Sequence, residues 1–388
     1  MRVGIDAVPF AFEQAGIGRY LGSMLEEMQA ADPSIEFLLY SPWPIDVPMR
    51  KGNWHLRIAS GRLARRPSLW VQTKLPGMLA ADKVDAFWGQ PTNLPIRIKR
   101  ACFRILTIHD LVPYVRPESM RLRSLLRMRL MLGPVARAAD ALVADSEATA
   151  ASACRYLGIR RERVSIVYAA AQSVFRQIPR GEAGAAVAER FGLSGGYVLC
   201  VSTIEPRKDH LTLLRAMESM SGAPLLVLAV GVCWRCRSIV EQIRAQEDGG
   251  RVRYLGRVED ESLVALYNAA RLSVYPSLYE GFGLPVLESM ACGCPVLCSD
   301  SSSLPEVGGD SARYFRTGDD VSLCAELRRL LGSQSELESM SKSGLARAGM
   351  FSFRRAAEQL LDVIRGGVKR LHTGRGPASG TRPDHRRR

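Results

Sequence analysis

The chain lacks the features that would place it inside a membrane or in an oxidising compartment. Across 388 residues, no apolar run approaches the roughly 18 residues that a membrane-spanning helix needs. The opening MRVGIDAV reads directly as a strand, with no basic region, apolar stretch and cleavage site of a secretory leader, so a cytosolic protein is expected. Nine cysteines are present, but they stand in apolar segments (Cys200, Cys292, Cys298) or singly on helix-like stretches (Cys154, Cys324). That distribution suits a reducing compartment and excludes a disulfide framework. Cys233-Trp234-Arg235-Cys236 has redox or zinc spacing, yet no second cysteine pair or nearby His completes a four-ligand set, and no thioredoxin-like strand-to-helix setting surrounds it. No Asp-x-Asp clamp lies near the residues singled out below, so no metal is expected.

Apolar residues make up 47% of the chain, enough at this length for two cores, and two domains are the natural expectation. The net charge of +14 is concentrated in Arg57 to Lys74, Arg97 to Arg104 and Arg116 to Arg137, which carry helical apolar spacing such as Leu122, Leu125, Leu126 and Leu130. Anionic partners are therefore expected at the N-terminal half. The basic residues lack interleaved aromatics and any recognition motif, which disfavours nucleic acid. Anionic lipid headgroups, at the inner face of the cytoplasmic membrane, or a diphosphate-linked acceptor fit better. Solvated basic helix faces are the plainer alternative.

Short β-rich runs alternate with amphipathic segments throughout, the mark of parallel sheets covered by helices. Strands are predicted at Arg2 to Asp6, Glu36 to Tyr40, Val84 to Trp88, Phe103 to Ile108, Ala141 to Ala144 and Val164 to Val167. A second series follows at Tyr197 to Val201, Leu225 to Val230, Val252 to Leu255, Leu272 to Tyr275 and Val296 to Ser299. The expected organisation is an α/β protein with Rossmann-like domains over 1–172 and 197–350, a linker over 173–196, a final amphipathic helix over 351–371 and a disordered basic tail over 372–388.

In doubly wound sheets, ligands sit in loops that follow strands. Four such loops carry chemistry. Gly16-Ile17-Gly18-Arg19-Tyr20 precedes a helix and lets backbone N–H groups approach an anion, although it lacks the third glycine of a dinucleotide fingerprint and serves equally as a conformational loop. His109 ends a strand and is expected to point into a cleft, where an imidazole can donate to hydroxyl or phosphate oxygens. Ser202 to Asp209 contains Arg207 and Lys208, two cations suited to neutralising a departing diphosphate, although Arg207 also has Glu205 as a neighbour to pair with. Glu280-Gly281-Phe282-Gly283-Leu284, ending at Glu288, joins two acids to free backbone N–H groups at a helix start. Carboxylates so placed can accept paired hydrogen bonds from the vicinal hydroxyls of a sugar or ribose.

Together with Thr107 to Leu111, Asp145-Ser146-Glu147, Leu255 to Val258, Leu266 to Ala270, Met290 to Val296 and Leu304 to Val307, these stretches resemble the family-four retaining glycosyltransferases, particularly the bacterial mannosyltransferase-like members of polysaccharide and O-antigen assembly. The resemblance implies a GT-B fold, two Rossmann-like domains facing across a cleft, with the last helix crossing back to the first domain. It implies that Glu288 binds the donor ribose and Glu280 the donor sugar, helped by the backbone N–H groups of Phe282, Gly283 and Leu284. Lys208 and Arg207 would stabilise the leaving nucleoside diphosphate, and Ser202 would border the donor. Gly16 and Gly18 would approach the phosphates from the first domain, His109 would contact sugar or acceptor, and Gly256 to Val258 would lie near the base. Two departures stand out: Ser202-Thr203 occupies the place where relatives carry Gly-Arg, and Phe353 stands where a Trp is usual.

The resemblance carries no dedicated carboxylate nucleophile, so front-face displacement without a metal is expected, moving a hexose, with GDP-mannose the favoured donor, to a glycan or polyprenyl-diphosphate-linked acceptor. A nucleotide-sugar epimerase on the same fold and a non-catalytic anion-binding module remain the alternatives.

Overall fold

The alternating pattern builds two parallel sheets. The computed structural model describes residues 1–11, 16–47, 52–59, 66–98, 101–194, 196–232 and 236–373. The first sheet contains β1 (Arg2–Asp6), β2 (Glu36–Ser41), β3 (Trp54–Ile58), β4 (Ala86–Gly89), β5 (Phe103–Ile108), β6 (Ala141–Ala144) and β7 (Val164–Ile166), in the order β3-β2-β1-β4-β5-β6-β7. The second contains β8 (Val198–Ile204), β9 (Leu226–Val232), β10 (Val252–Tyr254), β11 (Leu272–Tyr275), β12 (Val296–Ser299) and β13 (Arg313–Phe315), in the order β10-β9-β8-β11-β12-β13. The strand pairs are parallel, and the central strands β1, β5, β8 and β11 are almost wholly buried, as continuous Val, Ile and Leu runs require when helices cover both faces.

Two strands, β3 and β13, depart from the expected pattern. Both lie at sheet edges and are only partly buried, so neither needs a continuous apolar run. Two of the three basic stretches are only partly as expected: Arg57 to Lys74 begins in β3 and turns helical only at Pro67–Thr73, and Arg104 lies in β5. Only the third forms one long helix, Leu122–Ala138.

In each sheet the chain order reverses once: between β1 and β4 in the first, and between β8 and β11 in the second. At such reversals, the loops leaving adjacent strands splay apart and open a crevice at the carboxyl ends. All four loops singled out from the sequence leave the carboxyl ends of strands at or next to these two points.

The last helix, Phe353–His372, has buried residues at Phe353, Ala356, Ala357, Leu360, Leu361 and Ile364, an apolar stripe at helical spacing. That stripe packs against the Gly16–Ala31 helix and β5 of the first sheet, so the helix crosses back from the second lobe. Each large side chain in the stripe contributes about 2 kcal/mol through burial. At Gly367 a Cβ would overlap the Phe103 ring, so the missing side chain lets the helix seat there. One apolar cluster is continuous from Val3, Ile5 and Phe103 through the aromatic set Tyr168, Phe282 and Phe351 to Leu287 and Leu304, tying the lobes together. Residues 374–388 of the expected basic tail and residues 233–235 of the Cys-x-x-Cys stretch lie outside the described residues.

Candidate functional site

Glu280 follows β11 and is buried under Lys208 and Arg207, which follow β8. Its Oε1 accepts from Lys208 Nζ at 2.5 Å, Ser277 Oγ at 2.6 Å and Tyr275 Oη at 3.0 Å, and its Oε2 accepts from Arg207 at 3.0 Å. Burial opposes its charge, yet Lys208 and Arg207 outweigh burial and hold the carboxyl down to about 2. Arg207 also pairs with Glu205 at 2.7 Å. Burial works against its guanidinium, and the two carboxylates more than compensate, raising its proton affinity. Lys208 is pulled below the usual lysine range by burial and by Arg207 beside it.

Glu280, expected as a sugar ligand, is thus engaged by both cations, and Arg207 also takes the Glu205 partner that its sequence neighbourhood offered. Two cations meet two carboxylates, so the cluster is net neutral (+2 from Arg207 and Lys208, −2 from Glu205 and Glu280). A diphosphate arriving here has to redirect N–H groups already engaged by carboxylates.

Glu288 lies in the second turn of the Leu284–Ala291 helix. Burial pushes its carboxyl up to about 7, with Asp260 adding to the rise, while Arg19 and the Tyr267 hydroxyl oppose it. Arg19 comes from the first lobe and pairs with Asp260 at 3.0 Å, so it reaches across the crevice into the neighbourhood of Glu288. Arg19 stands in the Gly16 to Tyr20 motif, and only this contact across the crevice reveals its place.

Gly281 is a contact glycine. A Cβ there would overlap the His109 carbonyl oxygen, and the Gly281 carbonyl accepts from Ser146 Oγ at 2.5 Å and Thr149 Oγ1 at 3.0 Å, both in the first lobe. Gly283 takes φ +106° and opens the Leu284–Ala291 helix without a side-chain cap. The N–H groups of Phe282, Gly283 and Leu284 find no acceptor among the described residues, while the Phe282 ring is core, tilted against Tyr168 and edge-on to Phe351. Ser302, in the left-handed region at φ +49°, accepts from the Glu280 N–H at 2.8 Å. Among the described residues, three of the four non-glycine residues with positive φ, Thr92, Asp209 and Ser302, lie in loops that leave strand ends, where backbone strain commonly accompanies function.

His109 does not offer a free nitrogen to the crevice. Its Nδ1 meets Asp145 Oδ2 at 2.6 Å and its Nε2 meets Gln90 Oε1 at 2.8 Å, with Tyr20 edge-on to the ring. Burial disfavours its charge, but Asp145 and Asp110 outweigh burial and raise its pKa. With an oxygen facing each nitrogen, the ring fits an imidazolium donating on both sides. Ser202 is likewise engaged, its Oγ 2.8 Å from His210 Nε2. Burial lowers the His210 pKa to about 4, with Lys208 adding to the effect, so that ring is neutral.

Gly16 and Gly18 open the Gly16–Ala31 helix, and nothing lies within 4 Å of where a Gly16 Cβ would sit. Gly256, at φ +68°, and half-buried Val258 form the loop from β10 to the Asp260–Ala269 helix, two strands out from β8. Glu306 of the second lobe, within the Leu304 to Val307 stretch, accepts from the Glu147 N–H at 2.7 Å and the Ala148 N–H at 3.2 Å, capping a first-lobe helix. Among the described residues, no group of three or more His, Cys, Asp or Glu side chains is arranged to hold a metal ion.

Residues 189–347 match the family model described as glycosyl transferases group 1. The chain is 30% identical over 385 residues to O-antigen chain mannosyltransferase B of Escherichia coli, covering 94% of this chain and all of that one. Among solved structures it resembles sucrose-phosphate synthase from Thermosynechococcus elongatus, with a TM-score of 0.78, 19% identity and coverage of 94% and 98% of the two chains. It also resembles Anabaena HepE in complex with UDP-glucose, with a TM-score of 0.72, 16% identity and coverage of 94% and 99%.

Proposed function

Because the chain belongs to the group 1 glycosyl transferases, we propose that it is a retaining, metal-independent mannosyltransferase that carries mannose from GDP-mannose to a glycan or polyprenyl-diphosphate-linked acceptor in surface-polysaccharide assembly. The observation that carries this reading is the buried Glu280–Lys208–Arg207 cluster at the strand-order reversal of the second lobe, in a chain similar end to end to an O-antigen mannosyltransferase. The comparisons give no support to the epimerase reading.

In this proposal Glu288 receives the ribose hydroxyls, the N–H groups of Phe282, Gly283 and Leu284 receive sugar and phosphate oxygens, and the Gly256–Val258 loop borders the base. Lys208 and Arg207 turn from Glu280 toward the diphosphate as its charge grows. The bond from the anomeric carbon to the diphosphate oxygen breaks, and the acceptor oxygen bonds to that carbon on the same face. The acceptor's proton passes to the departing diphosphate oxygen. Glu280 steers the cations and sugar and forms no bond to carbon. His109, held on both sides, contributes positive charge near the reacting sugar instead of a movable proton.

The basic Leu122–Ala138 helix supports peripheral contact with an anionic membrane. Leu122, Leu126 and Leu130 are exposed along one stripe, Arg123 and Arg127 flank it, and no acid occurs between Glu118 and Asp140. Among the described residues no helix is long and apolar enough to cross a membrane.

Incubation of GDP-mannose with a mannoside acceptor, with the product linkage read by NMR, tests the reaction. Lys208→Ala is expected to lower turnover by about 100-fold or more. Equal turnover in wild type and variant would remove the site assignment, and a β-linked product would remove retention. Activity abolished by chelator and restored by magnesium would remove metal independence.

A further inference from the structure

The polar groups around His109 leave a second set of unsatisfied atoms in the first lobe. Asp6 Oδ2, Gln90 Nε2, Asp145 Oδ1 and Tyr20 Oη are all buried without a hydrogen-bond partner among the described residues. They are mutually linked: Asp145 and Gln90 hold the two nitrogens of His109, Tyr20 packs edge-on against that ring, and Asp6 neighbours the Gln90 backbone. Buried polar atoms normally find partners, so several orphans at one spot mark a place where a polar ligand belongs.

Beside them lies a cavity of about 270 Å³. Carbon from Val8, Pro9, Pro91 and Met128 lines much of it, and Gln90 and Asn93 bring polar groups to its wall. Asp6 ends β1 and Gln90 follows β4, so the pair straddles the strand-order reversal of the first sheet. Asp6 is 2% exposed, accepts from the Val8 N–H at 3.2 Å and has no ion-pair partner among the described residues. Burial lifts its carboxyl to about 7 against the Asn93 side chain and the Val8 and Gln90 N–H groups. The wall beside Gln90 is built under strain, with β-branched Thr92 at φ +84°. A largely apolar cavity with a few convergent polar groups suits one sugar ring, whose C–H faces pack while its hydroxyls are read.

We propose that Gln90 is a specificity-determining residue for the acceptor, its Nε2 donating to one hydroxyl oxygen of the terminal sugar, with Asp6 a positioning residue behind the wall that Gln90 and Asn93 form. The choice of sugar rests on the mannosyl-transfer reading above; the hydroxyl site itself rests on the geometry. Met128 reaches the cavity from the helix whose outer face carries the exposed leucines, which places the site one helix away from the basic surface.

Binding of methyl α-mannopyranoside and its 2-, 3-, 4- and 6-deoxy analogues to the GDP-loaded protein, measured by ligand-observed NMR, tests the assignment. Gln90→Met removes the proposed donor without adding a charge beside the Asp145–His109 pair, and Asp6→Asn keeps an oxygen for the Val8 N–H while disturbing the support of the wall; GDP affinity reports any wider damage. Wild type should bind one deoxy analogue about tenfold more weakly than the parent mannoside. Each variant should lose about tenfold on the parent yet bind that same analogue as wild type does, with GDP affinity within twofold throughout. Parent affinity unchanged in both variants, or equal losses on all analogues, would overturn the proposal in favour of a site that merely holds water. Failure of the wild type to bind any mannoside would also overturn it, while turnover of GDP-mannose judges the donor reading separately.

Discussion

At the scale of single residues, the two acids of the second-lobe loop have opposite electrostatics. Glu280 is ionised by its cations, whereas Glu288 is lifted to about 7 by burial. Because folding raises the Glu288 pKa from its ordinary 4.5, its contribution to stability is greatest below about pH 4.5 and is lost as pH rises toward 7. Two ribose hydroxyls donating to this group favour the carboxylate, so nucleotide binding should release a proton near neutrality. Calorimetric titration with GDP should show affinity gaining about tenfold more between pH 6 and 8 in wild type than in Glu288→Gln. Parallel pH profiles would sink the ribose assignment. Glu280, Glu288, Arg207 and Lys208 were legible in the sequence because acids, cations and glycines coincide in loops between strand and helix. Asp6, Gln90 and Asp145 were not, since a lone polar residue ending a strand looks the same whether or not its side chain is satisfied. The engagement of His109 was hidden for a related reason: its partners come from two other strands, 19 and 36 residues away.

At the scale of elements, the loop from Glu280 to Leu284 serves as a joint as well as a ligand loop. Gly281 and Gly16 both stood in glycine-rich stretches read as anion sites, but packing separates them. Gly281→Ala places a Cβ on the His109 carbonyl and should cost about 1–3 kcal/mol, seen as a fall in Tm, with turnover down about tenfold as Glu280 is displaced. Gly16→Ala meets nothing within 4 Å and should leave Tm unmoved. Equal Tm values for the two variants would contradict the joint. Most strands were legible because their buried faces demand unbroken apolar runs; β3 and β13 were not, because an edge strand with one open side can be written in mixed residues such as WHLRI and RYF.

At the scale of the whole molecule, the basic first lobe gains a direction. Its exposed leucine stripe lies on the Leu122–Ala138 helix, beside the cavity assigned to the acceptor, so a lipid-linked acceptor could be met at the membrane surface. Co-sedimentation with vesicles containing phosphatidylglycerol should be strong at low salt and about tenfold weaker in Leu126→Ser/Leu130→Ser. Wild-type protein left in the supernatant would refute this contact. The charge excess was legible from the sequence, but which of the three basic stretches formed a long exposed helix was decided by β3 and β5 claiming parts of the other two, leaving only the short Pro67–Thr73 helix in the first.

The returning Phe353–His372 helix also sets an order of events during synthesis. Its stripe completes the core against β5 and the Gly16–Ala31 helix, so the first lobe leaves the ribosome with that groove uncovered while about 200 further residues are made. The early half must wait for the late one, and a nascent chain in this interval presents apolar surface for chaperones to hold.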